Sequence, residues 1–163
     1  MTTTIARLFA AASLCAALSA SAQSTPATNY TDMWWNPAES GWGVSFAQHA
    51  GSNQVFAVWY TYDPREQGAS GQNKPLWIVM PGGTWTSPTT LTGTVYVAKG
   101  VPFNQPGSNP RNNPVGSFTF NFTSASSGQF SFNIAAPAGL APSDPAYNLP
   151  SMSGTKNIVR QSF

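Results

Sequence analysis

The stretch Ser117-Phe118-Thr119-Phe120-Asn121-Phe122, followed after a Ser/Gly turn by Gln129-Phe130-Ser131-Phe132-Asn133-Ile134, decides the fold class. Apolar and polar residues alternate strictly through both halves. Successive side chains on a strand point to opposite faces, so this pattern predicts two strands with one buried and one wet face. The short polar turn between them makes the pair a hairpin.

Reading outward from this hairpin gives more strands and no helix. On the C-terminal side, a Pro-rich stretch over 136–151 precedes a final strand from about Ser153 to Phe163. On the N-terminal side, residues 100–114 hold four prolines and read as an irregular loop, longer than compact domains usually carry. Before it lie a strand at Leu91–Ala98 and a short one at Pro75–Met80, closed by Pro81-Gly82-Gly83. Asp63 to Asn73 reads as a polar loop. The strand Gln54–Tyr62 is apolar on both faces, with Phe56, Val58 and Tyr60 on one and Val55, Ala57 and Trp59 on the other. It is therefore central, or one of its faces borders a cavity. His49–Asn53 is a turn, and Trp42, Val44 and Phe46 alternate with Gly43, Ser45 and Ala47 before it. The prediction is an all-β, meander-like domain of seven or eight strands, either a small antiparallel β-barrel or a β-sandwich. A closing strand paired with the first would remove exposed edges.

The N-terminus has a different character. Arg7 precedes an apolar run from Leu8 to Ala20, which closes on Ala20-Ser21-Ala22. A charged start, a short apolar core and a small-x-small site describe a cleaved secretory signal over residues 1–22. The run is too short and too rich in Ala and Ser for a membrane span, which takes about 20 apolar residues. Lipidation at Cys15 is disfavoured by Leu14, where a small residue is expected. The mature chain then has a flexible arm at 23–31 and a single β domain at 32–163, and it is periplasmic or secreted. The one cysteine leaves with the signal, so the domain must be held by its core.

Charged residues make up 7% of the chain, against about 25% in typical domains. No basic stripe exists to engage nucleic acid. Aromatic residues make up 13%, which excludes a disordered chain. The final strand places Lys156, Ile158 and Arg160 on one face and Asn157, Val159 and Gln161 on the other, and neither face is a lipid-facing band. An integral membrane protein is therefore not expected.

The opening Asp32-Met33-Trp34-Trp35-Asn36-Pro37-Ala38-Glu39-Ser40-Gly41-Trp42-Gly43-Val44, the strand Phe56-Ala57-Val58-Trp59-Tyr60-Thr61-Tyr62-Asp63, and Pro75-Leu76-Trp77-Ile78-Val79-Met80-Pro81-Gly82-Gly83 belong together. Over roughly residues 32–103 the chain resembles a family of exported bacterial β-rich proteins. These share a WWNPxESGWG opening, an FAxWxxYD strand and a PxWxVMPGG strand. The resemblance implies export and a shared β module. It carries no activity and no catalytic residues.

Candidate site residues follow from side-chain chemistry. All six tryptophans lie within residues 34–85. An indole offers a large apolar face and one donor, which suits the face of a sugar ring or another planar ligand. Trp34, Trp35, Trp42, Trp59 and Trp77 are the ligand-binding candidates, although Trp59 and Trp77 sit on strands otherwise built of core residues. Trp34 and Trp35 are adjacent near turn signals and, if extended, point to opposite sides. Glu39, beside Gly41 and Gly43, either accepts hydrogen bonds from a ligand's hydroxyls or fixes the turn. Glycoside hydrolysis needs two carboxylates, and Glu39 with Asp63 is the best pair. His49, the sole histidine, sits in a turn, and no nucleophile elbow accompanies it. No catalytic residue, cofactor or metal site is assigned. The residues favour an exported ligand-binding module with an aromatic patch or pocket near the Trp34–Trp42 turn, for a neutral glycan or small apolar molecule. The alternative is an envelope or secreted interaction protein that docks another protein, and a hydrolase is the most distant reading.

Overall fold

The computed structural model describes residues 26–66, 73–107 and 113–162. Residues 1–22, read from the sequence as a signal segment, residues 23–25 of the expected arm and parts of the loops at 63–73 and 100–114 lie outside the described residues. Eight strands follow one another: β1 (Asp32–Asn36), β2 (Glu39–Gln48), β3 (Val55–Tyr62), β4 (Pro75–Trp85), β5 (Thr90–Val97), β6 (Pro114–Phe122), β7 (Ser127–Ile134) and β8 (Met152–Arg160). A single 3-10 turn, Pro64–Glu66, is the one helical element among the described residues. Each strand pairs antiparallel with the next, and β8 returns to β1 through Trp34 opposite Arg160 and Trp35 opposite Val159. The sheet is a closed meander barrel, not a sandwich. Closure leaves the sheet without two free edge strands.

Period-two alternation decides which side chains fill the barrel. Phe118, Phe120 and Phe122 of β6 and Phe130 and Ile134 of β7 point inward and are buried. Phe120 meets Phe130 at 5.0 Å, and Phe118 meets Phe130 edge-on at 4.9 Å. Trp34, Val44, Phe46, Ala57, Trp59, Ile78 and Leu91 complete the same core. The outer faces of β5 to β8 carry Thr, Ser, Asn and Gln, joined across strands by Thr92–Thr119, Ser131–Thr155 and Gln129–Asn157 contacts. Over these strands an apolar interior with a polar exterior is the reverse of an outer-membrane barrel. Among the described residues no helix is long and apolar enough to cross a membrane.

Three elements depart from the sequence reading. Trp34 and Trp35 lie on β1, a strand missed because it is only five residues long and runs into the turn at Pro37-Ala38. Strand β4 does not stop at Pro81-Gly82-Gly83 but continues to Trp85. Its pairing with β5 shifts register between Val79 and Gly83, so the proline and glycine mark a bulge inside a strand. Tyr30, read as part of a flexible arm, stacks on Phe122 at 3.9 Å and is buried.

Both barrel ends are filled. Tyr30, Trp34, Trp85 and Phe122 form an aromatic plug at the lower end, beside the short β2–β3, β4–β5 and β6–β7 connections. The upper end carries the long connections. There Ala146 and Leu149, from the segment joining β7 to β8, pack onto the core. Arg65 holds that segment in place: its guanidinium donates to the carbonyls of Pro145 at 2.9 Å and Tyr147 at 2.7 Å, and it grips Asp63 in two places.

Candidate functional site

Alternation on β3 and β4 has a second consequence, on the outside of the barrel. When Val55, Ala57 and Trp59 point inward, Phe56, Tyr60 and Tyr62 must point outward, and Trp77 does the same between Leu76 and Ile78. The second apolar face of β3, read from the sequence as the mark of a central strand or of a face on a cavity, instead lies on the outside of the barrel and is partly open to solvent. Tyr62 and Trp77 are each 51% exposed and Tyr60 is 38% exposed. Tyr60 and Trp77 are cross-strand partners whose rings meet edge to face at 6.0 Å.

The neighbouring strand β2 supplies the floor. Gly43 lies opposite Tyr60 and has no side chain to cover it. Gly41 has φ +92°, a left-handed conformation that favours glycine, and a Cβ there would lie 3.2 Å from the Tyr62 ring. The bare backbone therefore lets the Tyr62 ring settle beside it. Gly41, Trp42, Gly43, Tyr60, Thr61, Tyr62, Pro75 and Trp77 enclose a shallow trough of about 270 Å³. None of these residues is charged.

Beside this trough, Glu39 is a hub. It accepts hydrogen bonds from Asn36 Nδ2 at 3.2 Å, Trp42 Nε1 at 3.2 Å and Lys156 Nζ at 2.8 Å. The Lys156 hydrogen bond is the main reason its carboxyl sits below the ordinary value; desolvation opposes it and Trp42 assists. Glu39 thereby ties the tip of the β1–β2 hairpin to β8 and sets the indole of Trp42. Of the two roles open to it, these contacts describe the structural one.

The six indoles do not converge on one concavity. Trp34 is fully buried, donates its N–H to the Tyr30 carbonyl at 3.0 Å, and has the Arg160 guanidinium 5.3 Å from its ring centre. It has no free face for a ligand. Trp35 faces outward from β1, opposite Val159, and is half-buried. Trp59 is a core residue set between Phe130 and Phe132. Trp85 belongs to the lower plug. Trp42 lies at the inner rim, half-buried, 6.2 Å from Phe130. Of the candidates, only Trp42 and Trp77 line the trough. Tyr60 and Tyr62 were missed as site residues, although their place on the second apolar face of β3 was the available signal.

A second, larger concavity of about 820 Å³ opens at the upper end, lined among others by Asp63, Arg65, Lys74, Pro75, Lys99, Asp144 and Tyr147. The Pro-rich segment between β7 and β8 forms part of its wall, from Pro142 to Pro150. Asp63 lines this cleft, whereas Glu39 does not. Burial raises the Asp63 carboxyl, but hydrogen bonds from the Arg65 side chain and backbone, with the charges of Arg65 and Lys74, outweigh it and leave it below its ordinary value. Glu39 and Asp63 are thus both held ionised. A glycosidase acid requires the opposite shift.

No protein-family model and no curated protein matches this chain.

Proposed function

We propose that this protein is an exported ligand-binding barrel that holds a neutral glycan on its outer aromatic face. The observation that carries this reading is the trough between β2, β3 and β4, where Tyr60, Tyr62 and Trp77 stand exposed around two glycines with no charge in the lining. Aromatic faces suit the C–H faces of sugar rings, and an uncharged lining suits a ligand that brings no charge. Export is supported by the tripartite N-terminal segment that ends at Ala20-Ser21-Ala22 and by the resemblance to exported β-rich proteins. The filled interior weighs against a small apolar ligand held inside the barrel.

A docking role for the same side of the barrel is favoured by one observation: further along β3, Phe56 is 47% exposed and lines a second concavity with Pro81. Fluorescence separates the two. Trp34, Trp59 and Trp85 are buried, so acrylamide quenching reports mainly on Trp77 and the half-buried Trp35 and Trp42. A neutral glycan that protects this emission from quenching, with protection lost in Trp77→Ala, supports the proposal. Undiminished quenching across a panel of neutral glycans would refute it and leave protein docking as the function of the face.

A further inference from the structure

We infer, building on the glycan reading, that the ligand is an extended chain of neutral sugars which runs from the aromatic trough across Pro75 into the upper cleft. The trough alone measures about 270 Å³, below the ~300–1,000 Å³ of sites that enclose a small molecule. It offers ring faces for stacking but few groups to fix a ring's hydroxyls. The upper cleft has the complementary character. It measures about 820 Å³, and Pro75 lines both concavities, so the two are neighbours at the start of β4.

The chemistry of the cleft fits hydroxyls better than ions. Asp63 is paired with Arg65 at 2.6 Å and Glu66 with Lys74 at 2.9 Å, so these four charges cancel in place. Lys99 and Asp144 add one charge of each sign. An ionised carboxylate has about four acceptor sites and an ammonium three donors. Asp63 is filled by Arg65, and Asp144 already accepts from Asn113 Nδ2 and the Ala146 amide, but Glu66 and Lys74 are bonded to each other while still partly exposed, and Lys99 is exposed. The cleft therefore keeps open donors and acceptors on Glu66, Lys74 and Lys99 with no net charge in its lining. Tyr147 adds a further ring there, 37% exposed. An aromatic platform that leads into a neutral, hydrogen-bonding cleft suits a chain that stacks at one end and is held by its hydroxyls at the other. A proline-rich peptide would also stack on a Tyr/Trp groove, but it presents few donors to such a cleft.

Calorimetric titration of the mature protein with β-1,4-linked glucose oligomers, and separately with β-1,4-linked N-acetylglucosamine oligomers, tests this. Affinity for at least one series is expected to rise about tenfold or more from dimer to hexamer. Trp77→Ala should weaken dimer and hexamer alike. Tyr147→Ala should remove the gain with length while it leaves dimer affinity within about twofold, because the backbone carbonyl of residue 147 that Arg65 holds is retained. Equal affinity for dimer and hexamer, still dependent on Trp77, would overturn the chain inference and leave the glycan site standing. Failure of both sugar series would overturn the chain inference, and the glycan site falls with it when the panel of neutral glycans also leaves Trp77 open to quenching.

Discussion

Trp34 and Trp77 are the same residue type in opposite situations, and replacing each with alanine separates core from site. Trp34 is fully buried against Tyr30 and Phe122, donates its indole N–H to a backbone carbonyl, and lies under the Arg160 guanidinium. Removing a large buried aromatic costs about 3–5 kcal/mol from lost transfer energy and the cavity left behind. The stranded Tyr30 carbonyl and the lost cation–π contact add roughly 1 kcal/mol more. The total of roughly 4–6 kcal/mol compares with about 5–15 kcal/mol for the stability of a whole domain. At about 2–4 °C per kcal/mol for a chain of this size, Tm should fall by roughly 8–24 °C. Trp77, half exposed and touching Tyr60 across one strand pair, should cost about 1 kcal/mol or less. Urea unfolding followed by far-UV circular dichroism measures both, and Trp34→Phe serves if the alanine variant does not fold. Glycan binding should show the reverse order, with Trp77→Ala deficient and Trp34→Phe close to the parent. Equal losses of stability, or a stable Trp34 variant that has lost binding, would refute the assignment of Trp34 to the core and Trp77 to the surface site.

Asp63→Asn should destabilise by about 1.5–3 kcal/mol, because Arg65 loses its ionised partner while it still spans to Pro145 and Tyr147; a change under about 0.5 kcal/mol by urea titration would show that the clamp contributes nothing. Glu39 and Asp63 both have lowered folded-state carboxyl values, so the native state binds fewer protons than the unfolded one as pH falls through the ordinary carboxylate range. Their contribution is fully present above about pH 4.5 and is lost as pH falls through the lowered values. Thermal melts from pH 7 to 2 should show this decline, and it should be shallower in Asp63→Asn. Gly116→Ala should abolish soluble folded protein: φ there is +142°, and a Cβ would run into the Asn133 carbonyl of the paired strand. A normal melt for that variant would contradict the β6–β7 register.

Much of the fold was legible because a half-buried antiparallel strand writes its two faces into the sequence. Phe118 to Ile134 and Trp42 to Ala47 show the alternation directly, and their inward residues are the ones found buried, apart from Trp42 and Phe132, which are partly buried. Short or interrupted strands were less legible. Five residues of β1 are too few to show a period, and Pro81-Gly82 reads as a stop unless the register shift that absorbs it is known. The candidate site was legible only in part. An indole's chemistry is the same in a core as on a surface, so Trp34 and Trp77 cannot be ranked by type.

What the sequence determined by itself is the class of the domain: all-β, antiparallel, stabilised by an aromatic core, with sparse charge. These properties depend on composition and on contacts between neighbours along the chain. Tertiary structure alone decided that the sheet closes through Trp34 and Arg160, that Tyr30 fills one end, and that Glu39 meets Lys156 from the far end of the sequence. It also decided which apolar face of β3 lies inside. A strand with two apolar faces has no local preference between them. Barrel closure turns Trp59 toward the phenylalanines of β6 and β7, and that choice leaves Tyr60, Tyr62 and Trp77 in solvent beside the bare backbone of Gly41 and Gly43.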